Sequence, residues 1–144
     1  MPIYGDGQNI RNWLYVEDFG HAMGCVLEQG ATGEAYNCGG PDEAEKIEVV
    51  RIILDLMGAE ESLIEFVADR PGHDRRYSLA SEKIRALGWQ PRIRLREGLE
   101  RTVHWYRENR WWWEPVRSGS YRSYYQKQYG SRAEGLTPDA RLEH

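Results

Sequence analysis

Long apolar runs are missing from this chain of 144 residues, and none approaches the ~20 residues needed to cross a bilayer. Cysteine is scarce: Cys25 and Cys38 alone cannot build a four-ligand zinc cluster, and they do not form a secreted disulfide framework. A surplus of positive charge is also missing. Nineteen Lys+Arg against 23 Asp+Glu leave a net charge of −4, which removes a polybasic nucleic-acid binder as the default class. Lysine is rare (Lys46, Lys83 and Lys127) beside 16 arginines, and phenylalanine is rare (Phe19 and Phe66) beside six Trp and nine Tyr. What remains is an ordinary soluble composition, 40% hydrophobic and 29% charged, in a length that buries one core without a metal or a disulfide. The expected location is the cytoplasm, with neither a membrane nor a nucleic acid as partner.

The patterning reads as mixed α and β. Pro2-Ile3-Tyr4 is a short extended piece entering the turn Gly5-Asp6-Gly7, and Ile10 to Val16 is rich in β-branched and aromatic residues. From Glu17 the period becomes helical, with Phe19, Ala22, Met23, Val26 and Leu27 on one stripe that Gly30 closes. Ala35 to Cys38 predicts a strand. Ile47, Val50, Ile53, Leu54 and Met57 predict a helix stopped by Gly58. Leu63 to Ala68 suits a strand, Ser81 an N-cap for the short helix Glu82–Leu87, and Leu95, Leu99, Val103 and Tyr106 a helix reaching about Arg110. Tyr121, Tyr125 and Tyr129 repeat at i, i+4, i+8, the spacing of a helix face docked on the body. The expected organisation is one portion over 1–130 and a flexible tail over 131–144, whose Leu142-Glu143-His144 resembles the start of a cloning tag.

Chemistry concentrates in Asp69-Arg70-Pro71-Gly72-His73-Asp74-Arg75-Arg76-Tyr77, directly after the expected strand 63–68. A loop at a strand end is a favoured ligand position in α/β proteins. Pro71 and Gly72 constrain it, its arginines offer forked donors to phosphate, and Asp69 can accept from sugar hydroxyls. The alternative is a solvated turn held by internal ion pairs, and composition leaves the two open. Asp69, His73 and Asp74 lack the dispersed geometry of a catalytic metal, and no Gly-x-Ser-x-Gly elbow supports a hydrolytic triad. Arg11 can reach a phosphate from a sheet end or simply face solvent. Asn37 can read a ligand or cap the Gly39-Gly40 turn, and the Tyr4 ring can stack on a base or enter the core.

Six segments carry a resemblance in order: Pro2–Gly7, Ile10–Asp18, Gly33–Gly40, Asp69–Tyr77, Leu87–Pro91 and Thr102–Tyr106. From Pro2 to about Gly130 the chain resembles the C-terminal part of the dTDP-glucose 4,6-dehydratase family, within the extended short-chain dehydrogenase/reductases. The run Asp69–Tyr77 discriminates, since related nucleotide-sugar decarboxylases and GDP-sugar dehydratases carry other residues there. The resemblance implies the C-terminal lobe of such a fold, with edge elements of the Rossmann domain and without the N-terminal NAD-binding half. It implies a portion that binds a dTDP-sugar for an NAD-dependent lyase of deoxysugar (dTDP-rhamnose-type) biosynthesis. Pro2, Ile3 and Tyr4 would border the thymine, Arg11 and Arg70 would neutralise the diphosphate with Asn37 near it, and Asp69, Pro71, Gly72 and His73 would shape the deoxyribose end.

Four positions depart from the family pattern: Cys38 for an aliphatic residue, Phe19 for His, Ala80 for Asp, and Lys46 for an Asn that would cap the second helix. None of the four is expected to touch the carried-over ligand residues. The family's Gly-x-x-Gly-x-x-Gly turn and its Tyr-x-x-x-Lys pair do not occur in these 144 residues, nor does its Asp-Glu elimination pair, so the chain is expected to hold no NAD and not to catalyse alone. The exposed edge left by such a portion implies self-association, through the Glu17–Gly40 region, or a complementing N-terminal half. The competing class is a non-catalytic interaction module that binds no nucleotide.

Overall fold

A computed structural model describes residues 1–119. The backbone divides into two units, Met1–His104 and a second beginning at Trp105. The reading of Tyr121, Tyr125 and Tyr129 as a docked face, and that of 131–144 as a tail, lie outside the described residues.

The first unit is mixed α/β. Strand β1 (Pro2–Tyr4) runs parallel to β4 (Glu65–Val67), pairing Ile3 with Phe66. A second sheet has the order β3-β2-β5, with β2 (Ile10–Trp13) in the middle. It is antiparallel to β3 (Asp42–Glu45), pairing Ile10 with Glu45, and parallel to β5 (Arg76–Tyr77), pairing Arg11 with Tyr77. Helices α1 (Val16–Gln29) and α2 (Lys46–Met57) follow the apolar stripes expected of them, and α3 (Glu82–Arg85) covers the first four residues of the short helix expected over Glu82–Leu87. At Gly58 the φ of 65° makes a left-handed cap whose N–H meets the Asp55 and Leu54 carbonyls. Ala22, Ile84 and Trp89 form the centre of the core, with Leu14, Cys25, Val26, Tyr36 and Cys38 packed against it.

Two expectations need correction. Residues 35–38 form no strand, because the backbone beyond them is captured by side chains. The Gly39 N–H donates to Ser81 Oγ at 2.7 Å and the Gly40 N–H to Asn12 Oδ1 at 2.6 Å. Ser81 therefore serves this chain crossing and makes no side-chain cap on α3. The strand lies instead at β3, an Asp-Glu-Ala-Glu run whose poor propensity is overridden by pairing to β2 and by cations on its acids. Arg76 grips Glu43 and Arg94 pairs with Asp42.

The helix expected to reach about Arg110 is α4 (Leu95–Glu108). A break at Asn109 (φ −107°, ψ 45°) separates it from α5 (Arg110–Arg117), which contains Pro115. In the second unit Trp105, Tyr106 and Trp112 meet edge to face at centroid distances of 5.2 to 6.3 Å. Among the described residues no helix is long and apolar enough to cross a membrane.

Candidate functional site

The 69–77 loop sits where β1, β2 and the start of α2 converge. The chain leaves β1 through Gly5, whose N–H donates to the Val67 carbonyl at 2.9 Å. Its φ of 60° favours glycine, and a Cβ there would lie 2.9 Å from Asp69 Oδ2. The missing side chain thus gives Asp69 its seat. Asp69 accepts from its neighbour's backbone, Arg70 N–H, at 2.9 Å and faces His73 Nδ1 at 2.6 Å. On the other side of the ring His73 Nε2 lies 3.0 Å from Lys46 Nζ. An ammonium can only donate, so Nε2 is the acceptor, and Nδ1–H donates to Asp69. The His73 side chain is 2% exposed, and its ring and that of Tyr4 stand nearly perpendicular at 6.4 Å between centroids.

The electrostatics follow from this chain of contacts. The hydrogen bond from His73 holds the Asp69 carboxyl below the usual carboxylate range, with the Arg70 N–H adding to it. Burial pushes the Lys46 ammonium below its ordinary range, and the positive charges of Arg11 and Arg70 push it further, while Asp69 opposes them. Three cations thus act on one small region.

Their commitments differ from those of the neighbouring arginines. Arg11 donates to the Ile10 carbonyl at 2.6 Å and the Asp74 carbonyl at 3.1 Å, and its guanidinium covers the Tyr77 ring at 4.5 Å. It has no carboxylate partner among the described residues. The exposed Arg70 guanidinium has no hydrogen bond or ion pair there either. Arg75, by contrast, is spent on Asp6 (3.1 and 3.0 Å) and Gln8, and Arg76 on Glu43 (2.9 and 2.8 Å). Of the arginines flanking the turn, only Arg70 is left to meet an incoming anion.

Pro2, Tyr4, Pro71 and Gly72 are exposed, as a ligand site requires. Ile3 is not: it is 6% exposed, with its Cγ2 filling the space beside Gly7, so only its backbone could border a base. Asn37 is exposed on the irregular segment before Gly39, and no hydrogen bond ties it to the Arg11–Asp69–His73 group. Lys46 is the residue that sequence reasoning placed elsewhere. As a helix-cap position it was expected to stay clear of the ligand residues, yet its ammonium rests on His73. Its distance of 27 residues from His73 left no local signal.

Neither the Gly5-Asp6-Gly7 turn nor the start of α2 offers the free amides of an NAD cradle. The Gly5-Asp6-Gly7 turn leads into a strand, and its amides are already used: Gly7 N–H on the Tyr4 carbonyl at 3.3 Å and Gln8 N–H on Asp6 Oδ1 at 2.9 Å. At α2 the first two amides are also taken, Lys46 N–H by the Asn9 carbonyl and Ile47 N–H by that of Gly7.

The sequence pattern of the GDP-mannose 4,6 dehydratase family matches residues 1–102, most of the chain. The chain belongs to that family. Among its relatives, dTDP-glucose 4,6-dehydratase 1 of Escherichia coli K12 is 47% identical over 140 residues, covering 92% of this chain and 39% of that protein. The dTDP-glucose 4,6-dehydratase of Streptomyces venezuelae, solved with NAD, superposes with a TM-score of 0.75 at 49% identity over 81% of this chain and 36% of that one. The Bacillus anthracis enzyme in complex with NAD gives 0.73 at 45% identity, over 80% and 37%. The fold is therefore that of part of an extended short-chain dehydrogenase/reductase. The chain spans well under half the length of these family members.

Proposed function

We propose that this chain is the nucleotide-sugar-binding portion of an NAD-dependent dTDP-glucose 4,6-dehydratase, gripping the diphosphate of a dTDP-sugar and leaving the redox and elimination chemistry to residues outside these 144. The supporting observation is that Arg11 and Arg70, which have no carboxylate partner among the described residues, flank the His73–Asp69 pair and the exposed Tyr4 ring. Two phosphate charges call for forked cations, and a flat base calls for an aromatic wall. Deoxysugar synthesis in the cytoplasm is the pathway this reading implies.

A partner belongs to the same reading. On α1 the apolar side chains Val16, Phe19, Met23 and Leu27 are 71%, 45%, 52% and 87% exposed in one stripe. The chain covers 39% of the length of its Escherichia coli relative, so the stripe is the face that an NAD-binding portion would cover. In the isolated chain a second copy takes its place.

The test is complementation. Adding the NAD-binding portion of a relative in trans is expected to restore NAD-dependent loss of water from dTDP-glucose. No turnover from a mixture that demonstrably associates would contradict the reading and favour the interaction module.

A further inference from the structure

Among the described residues the Lys46 ammonium has one hydrogen-bond partner, the Nε2 lone pair of His73 at 3.0 Å. An ammonium carries three donors, so two remain open. A neutral imidazole is a modest acceptor for a cation, and nearby Arg11 and Arg70 repel that cation. An anionic oxygen entering between the three would be a far better partner. The helix amides cannot supply this contact, because those of Lys46 and Ile47 are bonded to Asn9 and Gly7.

We propose that Lys46 is a specificity-determining residue of this site, held on His73 in the free chain and handed to the second phosphate when a nucleoside diphosphate binds. His73 and Asp69 are positioning residues: Asp69 fixes the Nδ1–H tautomer, and this leaves Nε2 as the resting place for the ammonium. The inference rests on the reading of the site as a diphosphate grip. It adds a third cation, one that distinguishes a diphosphate from a monophosphate. Arginine at the same position would keep the charge but, with its rigid fork, would rest differently on the imidazole.

The experiment uses the whole 144-residue chain labelled with ¹⁵N at histidine. It is titrated with dTDP, dTMP and inorganic pyrophosphate, alongside Lys46→Asn, Lys46→Arg and His73→Gln. In the free protein the His73 ¹⁵N shifts are expected to report the Nδ1–H tautomer. Pyrophosphate or dTDP should move the Nε2 resonance as the ammonium departs, and dTMP should move it less. Lys46→Asn is expected to weaken dTDP by roughly tenfold or more while weakening dTMP by less, for the loss of one charge-assisted contact. Lys46→Arg should recover most of the dTDP affinity, and His73→Gln should retain the preference for dTDP over dTMP. If dTDP binds but Lys46→Asn leaves the dTDP/dTMP ratio unchanged, or Nε2 does not move, the handover is wrong and the diphosphate grip stands. If neither dTDP nor pyrophosphate binds the folded chain, the grip falls and the role of Lys46 falls with it.

Discussion

Trp89 donates its indole N–H to the backbone carbonyl of Asp18 at 3.0 Å, pinning the Leu87–Pro91 segment onto the first turn of α1. The Asp18 side chain continues the contact. Its Oδ2 accepts the Arg92 and Ile93 N–H groups at 2.9 and 2.8 Å, and the residue is 1% exposed. Replacing this carboxylate leaves two backbone donors without a partner. Asp18→Ala is expected to lose about 3 kcal/mol of unfolding free energy. Urea denaturation followed by Trp fluorescence checks this, and a loss below about 1 kcal/mol would show that water replaces the carboxylate without difficulty.

Two glycines should respond in opposite directions. A Cβ on Gly40 would stand 1.4 Å from the Trp13 carbonyl oxygen, so Gly40→Ala has to displace β2 or the 35–41 segment and should abolish the cooperative fold. Gly24 lies within α1, with nothing within 4 Å of the added carbon. Gly24→Ala should raise unfolding free energy by about 0.5–1 kcal/mol through helix propensity. Thermal melts by circular dichroism separate the two variants.

The loop arginines divide by commitment. Arg75 and Arg76 hold Asp6 and Glu43, whereas the Arg70 guanidinium holds nothing among the described residues. Arg76→Ala is expected to lower the melting temperature only slightly, as for a solvent-screened surface ion pair. Arg70→Ala should leave the melting curve unchanged and alter only ligand affinity. Equal effects of the two variants on both properties would remove the distinction.

Acid should loosen the same region. The Gln8 N–H and then Arg75 hold Asp6 below its ordinary 3.8, Arg76 and then Ser78 hold Glu43 below 4.5, and His73 does the same for Asp69. A carboxylate depressed in the folded state contributes stability that is fully present above its unfolded value and is lost as pH falls through its folded one. The melting temperature should therefore be flat with respect to these groups from pH 7 to about 5 and fall below about pH 4. Arg76→Ala should shallow that decline. A decline already complete at pH 5 would assign it to other groups.

Much of this arrangement is legible in the sequence because it is local. The stripe Phe19, Ala22, Met23, Val26, Leu27 and the stop at Gly58 each need only neighbours within one or two turns, and α1 and α2 lie where they point. The Asp69–Tyr77 run stands out by its density of charge, although composition alone leaves a ligand loop and a solvated turn both open. What escapes is set by distant partners. Asp42–Glu45 becomes a strand only because β2 and Arg76 accept it, and Ser81 is drawn from its helix to the Gly39 amide 42 residues away. Lys46 reads as a helix start until His73 is brought to its ammonium. Ile3, grouped with Pro2 and Tyr4 by the family resemblance, turns inward because alternate residues of a strand face opposite sides.

On the proposed function, Arg11 and Arg70 grip the diphosphate of a dTDP-type ligand. Calorimetric titration of the chain with dTDP, beside UDP and an Arg70→Ala variant of unchanged melting temperature, tests it most directly. Saturable binding that prefers dTDP and weakens roughly tenfold or more in the variant is expected. Flat heats from the folded chain, or equal affinity in Arg70→Ala, would contradict it.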